Sequence, residues 1–85
     1  MTYQIIIERT ARKDIQKINQ ADQIQIIRAI KQLADEPRPS GCIKLKGRTA
    51  WRIRVGDYRV IYEIQDNLLI ITVITVGHRR DVYKK

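Results

Sequence analysis

The chain has 85 residues, one cysteine, one histidine and a formal net charge of +8. That length fits a single domain spanning 1–85, which buries only about 60–65% of its unfolded surface; a surface groove is therefore a more natural working site than a deep pocket. Cys42 alone excludes an intrachain disulfide, and with His78 it cannot complete a zinc site. No apolar run reaches the length of a signal peptide or membrane span. A soluble, cytoplasmic protein without metal or other cofactor is expected.

Tyr3–Glu8 alternates in polarity, with Tyr3, Ile5 and Ile7 on one side, and predicts a strand. Thr10 is placed to cap a short helix whose Ala11, Ile15 and Ile18 recur at helical spacing. A second helix follows, with Asp22 as its expected cap and Ile26, Ile27, Ile30, Leu33 and Ala34 as its apolar stripe. Pro37 and Pro39 end it. Three strands complete the pattern: Ala50–Val55, Tyr58–Ile64 after a Gly56–Asp57 turn, and Leu68–Val76 after a turn at 65–67. The expected architecture is α+β: an N-terminal strand, a helical hairpin, then a three-stranded antiparallel meander, with the helices packed on one face of the sheet.

Charge is concentrated late in the chain. Arg38, Lys44, Lys46, Arg48, Arg52, Arg54 and Arg59, set against Asp57, give residues 38–59 a balance of +6. Arg79, Arg80, Lys84 and Lys85, set against Asp81, give residues 77–85 a further +3. Such crowding suits a polyanion partner, because phosphates neutralise it.

Hairpin register sharpens that reading. With Gly56 and Asp57 as the turn, Arg54 lies opposite Arg59, and Arg52 shares their face, away from Trp51, Ile53, Val60 and Tyr62. Like charges facing each other across a ladder destabilise it, so the arrangement points to an anion site; a solvated sheet face is the plainer alternative. The ending Gly77-His78-Arg79-Arg80-Asp81-Val82-Tyr83 adds a group that titrates near neutrality and a ring able to stack on a base. Together these supply what metal-independent RNA cleavage by the ribose 2′-hydroxyl requires: proton transfer, phosphate clamping and stacking. A lone histidine beside arginines also fits a structural hydrogen bond.

The phrases Lys44-Leu45-Lys46-Gly47, Trp51-Arg52-Ile53-Arg54-Val55-Gly56-Asp57-Tyr58-Arg59-Val60-Ile61-Tyr62 and Val76-Gly77-His78-Arg79-Arg80-Asp81-Val82-Tyr83, in this order, resemble the RelE/ParE toxin superfamily, and within it the RelE branch. The resemblance implies the toxin of a type II toxin–antitoxin system: an mRNA interferase that cuts mRNA in the ribosomal A site and is held in check by a cognate RelB-like antitoxin. By position it assigns Arg52 and Arg54 to two basic strand sites, Arg59 to transition-state stabilisation, Arg79 to the leaving group and Tyr83 to base stacking. Lys44, Lys46, Arg48, Arg80 and Lys84 are expected to contact mRNA and ribosomal RNA. The best-known members of the branch carry lysines where this chain has Arg52 and Arg54, and arginine cannot give up its proton as a lysine base can; the proton transfer then falls to His78 as acid–base candidate, or the 2′-hydroxyl is activated by positioning and field alone. A ParE-like gyrase poison and a non-catalytic nucleic-acid-binding module are the competing readings.

Overall fold

Alternation at Gln4–Ile7 and across the second half of the chain builds one five-stranded sheet, ordered β1-β5-β4-β3-β2. The computed structural model describes residues 2–47 and 49–78. In chain order these form β1 (Gln4–Ile7), α1 (Arg9–Gln16), α2 (Gln20–Gln32), β2 (Ile43–Lys44), β3 (Ala50–Val55), β4 (Tyr58–Gln65) and β5 (Ile70–His78). The α+β class is as expected, with both helices against the sheet, but the strand arrangement is richer than a meander. β1 runs parallel to β5, Ile5 beside Ile71 and Ile7 beside Val73. β2 adds a two-residue edge, Ile43 beside Arg52 and Lys44 beside Trp51.

Both helix caps differ from expectation. Glu8, extended at ψ 155, precedes α1, while Thr10 lies inside the helix and donates its hydroxyl to the Ile74 carbonyl at 3.3 Å. The helix starts too soon after β1 for Thr10 to stand outside it. Asn19, not Asp22, caps α2: its side chain accepts from the Asp22 N–H at 2.9 Å and donates to the Asp22 carboxylate at 2.8 Å. This is a reciprocal capping arrangement in which Asp22 also sits favourably in the first turn.

Ala11, Ile15, Ile26, Ile30 and Leu33 from the helices meet Ile53, Val60, Tyr62, Ile71, Val73 and Val76 from the sheet. Tyr62 is fully buried, and its hydroxyl donates to the Pro37 carbonyl at 2.7 Å, tying the segment after α2 to the sheet centre. Burial pushes the Tyr62 phenol pKa well above its ordinary value. A register irregularity between Ile61 and Tyr62 interrupts the β4–β5 ladder. Helix α1 serves the interrupted stretch of β5, with Thr10 on the Ile74 carbonyl and Asp14 accepting from the Val76 N–H at 3.3 Å.

A polar cluster closes the end of the sheet. Arg38 grips Asp66 through both guanidinium Nη atoms, at 3.3 and 2.8 Å, and Tyr3 donates to the same carboxylate at 2.6 Å. The Arg38 guanidinium also lies 5.0 Å from the centre of the Trp51 ring. These hydrogen bonds, Arg38 first and Tyr3 second, hold the Asp66 carboxyl below its usual range. A lowered folded-state pKa means the contribution is present above the unfolded value of about 3.9 and is lost as pH falls through the folded one. Asp66→Asn should therefore lower the thermal midpoint at pH 7 and shrink the loss of stability between neutral and acidic pH, as read by circular dichroism melts.

Candidate nucleic-acid interface

The hairpin register is the one the two-residue turn predicts: Val55 faces Tyr58, Arg54 faces Arg59, and Arg52 faces Ile61. Gly56 takes φ 60, the positive value that a two-residue hairpin turn needs at its first position. Alternation along β3 and β4 then puts Arg52, Arg54 and Arg59 on the face opposite the helices, because Ile53, Val60 and Tyr62 all enter the helix-covered core. Arg54 is exposed, whereas Arg52 and Arg59 are half-buried and their Nε atoms are shielded from solvent. The stems of these two arginines thus lie against the protein, which limits the conformational freedom their charged ends would lose on gripping an anion.

Gly77 is the β5 partner of Arg59, so the β5 position directly opposite that arginine carries no side chain. Beneath the arginines, Ala50 and Ile61 are buried with Leu45 packed over them. The face is therefore a cationic rim on an apolar floor, and Leu45 reaches it because the Leu45 N–H bonds the Ala50 carbonyl at 2.9 Å. Beyond the floor, Lys44, Leu45, Lys46, Gly47, Thr49 and Glu63 line an open groove of about 800 Å³.

Other expected site residues are placed elsewhere. His78 pairs with Tyr58, and their rings meet edge-to-face at 5.8 Å. Tyr58 belongs to the helix-covered core face, so the histidine ring is on the opposite side of the sheet from the three arginines. Lys44 pairs with Trp51 and shares that same helix-side direction at the sheet edge, while Lys46 is exposed in the turn before β3. Arg38 contributes charge to the basic segment but is engaged with Asp66. Arg48, Arg79, Arg80, Tyr83 and Lys84 lie outside the described residues.

Glu63 was not among the expected site residues, although the alternation Arg59, Ile61, Glu63 in β4 is visible in the sequence. The opposed Arg54–Arg59 pair also costs the hairpin stability. Relieving like charges across a ladder stabilises it by a few tenths to about 1 kcal/mol, so Arg54→Thr should raise the urea midpoint.

This architecture agrees with what comparison with known proteins finds. The family model for the ParE toxin of type II toxin–antitoxin systems matches residues 5–83, and the chain belongs to that family. Its relatives are RelE-type toxins. An Escherichia coli protein described as a RelE-like toxin is 34% identical over 98% of this chain and 92% of its own length. Toxin RelG of Mycobacterium tuberculosis is 28% identical over the full length of both. Among solved structures, the RelE–RelB complex of the archaeon Pyrococcus horikoshii matches with a TM-score of 0.84 at 30% identity, over 96% of this chain and 100% of that one. No helix among the described residues is long and apolar enough to cross a membrane.

Proposed function

We propose that this toxin is a ribosome-dependent endoribonuclease that cuts mRNA in the A site through attack of a ribose 2′-hydroxyl on the adjacent phosphodiester. The observation that carries the reading is the gathering of Arg52, Arg54 and Arg59 on the helix-free face. In such a reaction the non-bridging phosphate oxygens gain negative charge on the way to the phosphorane, and fixed guanidinium groups stabilise that charge more than they stabilise the ground state. Arg59 takes the transition-state role, with Arg52 and Arg54 clamping phosphate. Arg79 is assigned to the leaving 5′ oxygen and Tyr83 to stacking on an mRNA base. Lys46, Arg48, Arg80 and Lys84 extend the contacts to mRNA and ribosomal RNA, with Lys44 reaching them from the sheet edge. His78, turned toward Tyr58, is not given the proton-transfer role. The protein acts in the cytoplasm and is neutralised by a RelB-like antitoxin; the RelE–RelB complexes among its structural neighbours support that partner.

Primer extension on mRNA from cells briefly expressing the toxin tests this directly. Cuts within translated codons, absent when initiation is blocked, are expected. Because the matching family model is named for ParE, a gyrase supercoiling assay belongs beside it. Inhibited supercoiling with intact mRNA would replace the ribonuclease reading by the gyrase one.

A further inference from the structure

We infer that Glu63 is the base that accepts the proton of the attacking 2′-hydroxyl, an inference that rests on the ribonuclease reading above. A 2′-hydroxyl attacks efficiently only when its proton has somewhere to go. The arginines cannot take it, since guanidinium does not deprotonate in proteins. His78 lies across the sheet beside Tyr58, and Lys44 points to the Trp51 side. Among the described residues, Glu63 is the carboxylate that β3, β4 and β5 present on the arginine face; Asp57 sits in the turn, past the last ladder pair.

Its placement fits the task. Glu63 pairs with Ala50 while Arg52 pairs with Ile61, so Glu63 is the diagonal neighbour of Arg52, about 7–8 Å away across the ladder. Arg59 lies two side chains down the same strand face, Thr72 is the β5 partner, and Lys46 lines the shared groove. Thr49 donates to one carboxylate oxygen at 3.5 Å, tethering the group at the groove. A carboxylate repels phosphate, so within a backbone-binding groove it must meet a part of RNA that donates. A phosphate held by Arg52 and Arg59 brings the neighbouring 2′-hydroxyl within reach of Glu63.

In the step, the 2′ O–H bond breaks and its proton passes to the Glu63 carboxylate as the 2′ oxygen bonds to phosphorus. The phosphorus–5′-oxygen bond then breaks, and the leaving oxygen takes a proton from water or from a general acid that water reprotonates. Glu63 returns its proton to solvent, leaving a 2′,3′-cyclic phosphate and a 5′-hydroxyl.

The test is single-turnover cleavage on programmed ribosomes by wild type, Glu63→Gln and Glu63→Asp, with circular dichroism melts of each. Glu63→Gln should cut about 10²–10⁴-fold more slowly at saturation while binding the ribosome–mRNA complex as tightly or more tightly, since it removes a negative charge from a phosphate groove. Glu63→Asp should recover part of the rate. Cleavage by Glu63→Gln within about threefold of wild type overturns the assignment. So does a loss confined to KM, or full-rate cutting at new codons, which would make Glu63 a base reader. If Glu63→Gln does not fold, Glu63→Asp decides: a folded aspartate variant with no measurable cleavage, or as fast as wild type, counts against it. Failure of wild type to cut at all would instead remove the ribonuclease reading itself.

Discussion

Arg59→Ala is expected to lower the saturating rate of mRNA cleavage by about 10²–10³-fold, the cost of removing one fixed donor from a developing oxyanion. The magnitude reflects how the side chain is held. Its position opposite Arg54 and beside Gly77 is set by two ladders, and burial reaches its Nε, so little reorganisation is needed when phosphate charge develops. Arg59→Lys keeps a positive charge but loses the planar fork, and should recover only part of the rate. Arg54, exposed at the rim, should behave differently: its loss should show mainly in KM and in salt dependence, as expected of a group that binds ground and transition states alike. Single-turnover cleavage at several salt concentrations separates the two. Equal effects of Arg54→Ala and Arg59→Ala on the saturating rate would argue against a division of labour on this face.

The second large effect concerns the core. Tyr62→Ala should destabilise the fold by about 3–5 kcal/mol, a large part of the roughly 5–15 kcal/mol that a domain commonly has. Tyr62 is fully buried at the sheet centre, and no neighbour can collapse into its space without disturbing the helices above it. Tyr62→Phe isolates the hydroxyl: the Pro37 carbonyl loses its 2.7 Å donor, at about 1–3 kcal/mol. Urea titrations of the three proteins measure both values. The raised phenol pKa adds a pH signature. A folded-state value above the unfolded one of about 10 means the contribution is complete below that pH and is lost as pH rises beyond it. The alkaline loss of stability should therefore be smaller in Tyr62→Phe.

The arginine face could be read from the sequence because everything that sets it is local. Gly56 and Asp57 leave two residues for the turn, and period-two alternation does the rest. The position of His78 could not be read in the same way. It depends on the β4–β5 register, which passes through the irregularity at Ile61/Tyr62 and a turn of four residues, 66–69, with Leu69 at φ 55, rather than the three expected. Each inserted residue reverses the facing of all later positions in the strand. β2 was invisible for another reason: Ile43–Lys44 is too short to alternate, and it is a strand only because β3 offers an edge. The caps failed because Thr10 and Asp22 have the right chemistry one or more positions inside helices that begin earlier. Glu63 was legible by the same alternation as Arg59, yet a carboxylate among cations does not announce itself as part of a phosphate site.

The parallel pairing of β1 with β5 has a consequence for how the molecule comes into being. Residues 4–7 find their partners only at residues 70–73, so the first strand must wait unpaired until β5 has been synthesised. Closure over such a sequence distance is slow, and the sheet gains the strand that joins β1 to β4 last. A nascent chain whose residues 70–78 are still inside the exit tunnel therefore lacks the strand that borders Arg59.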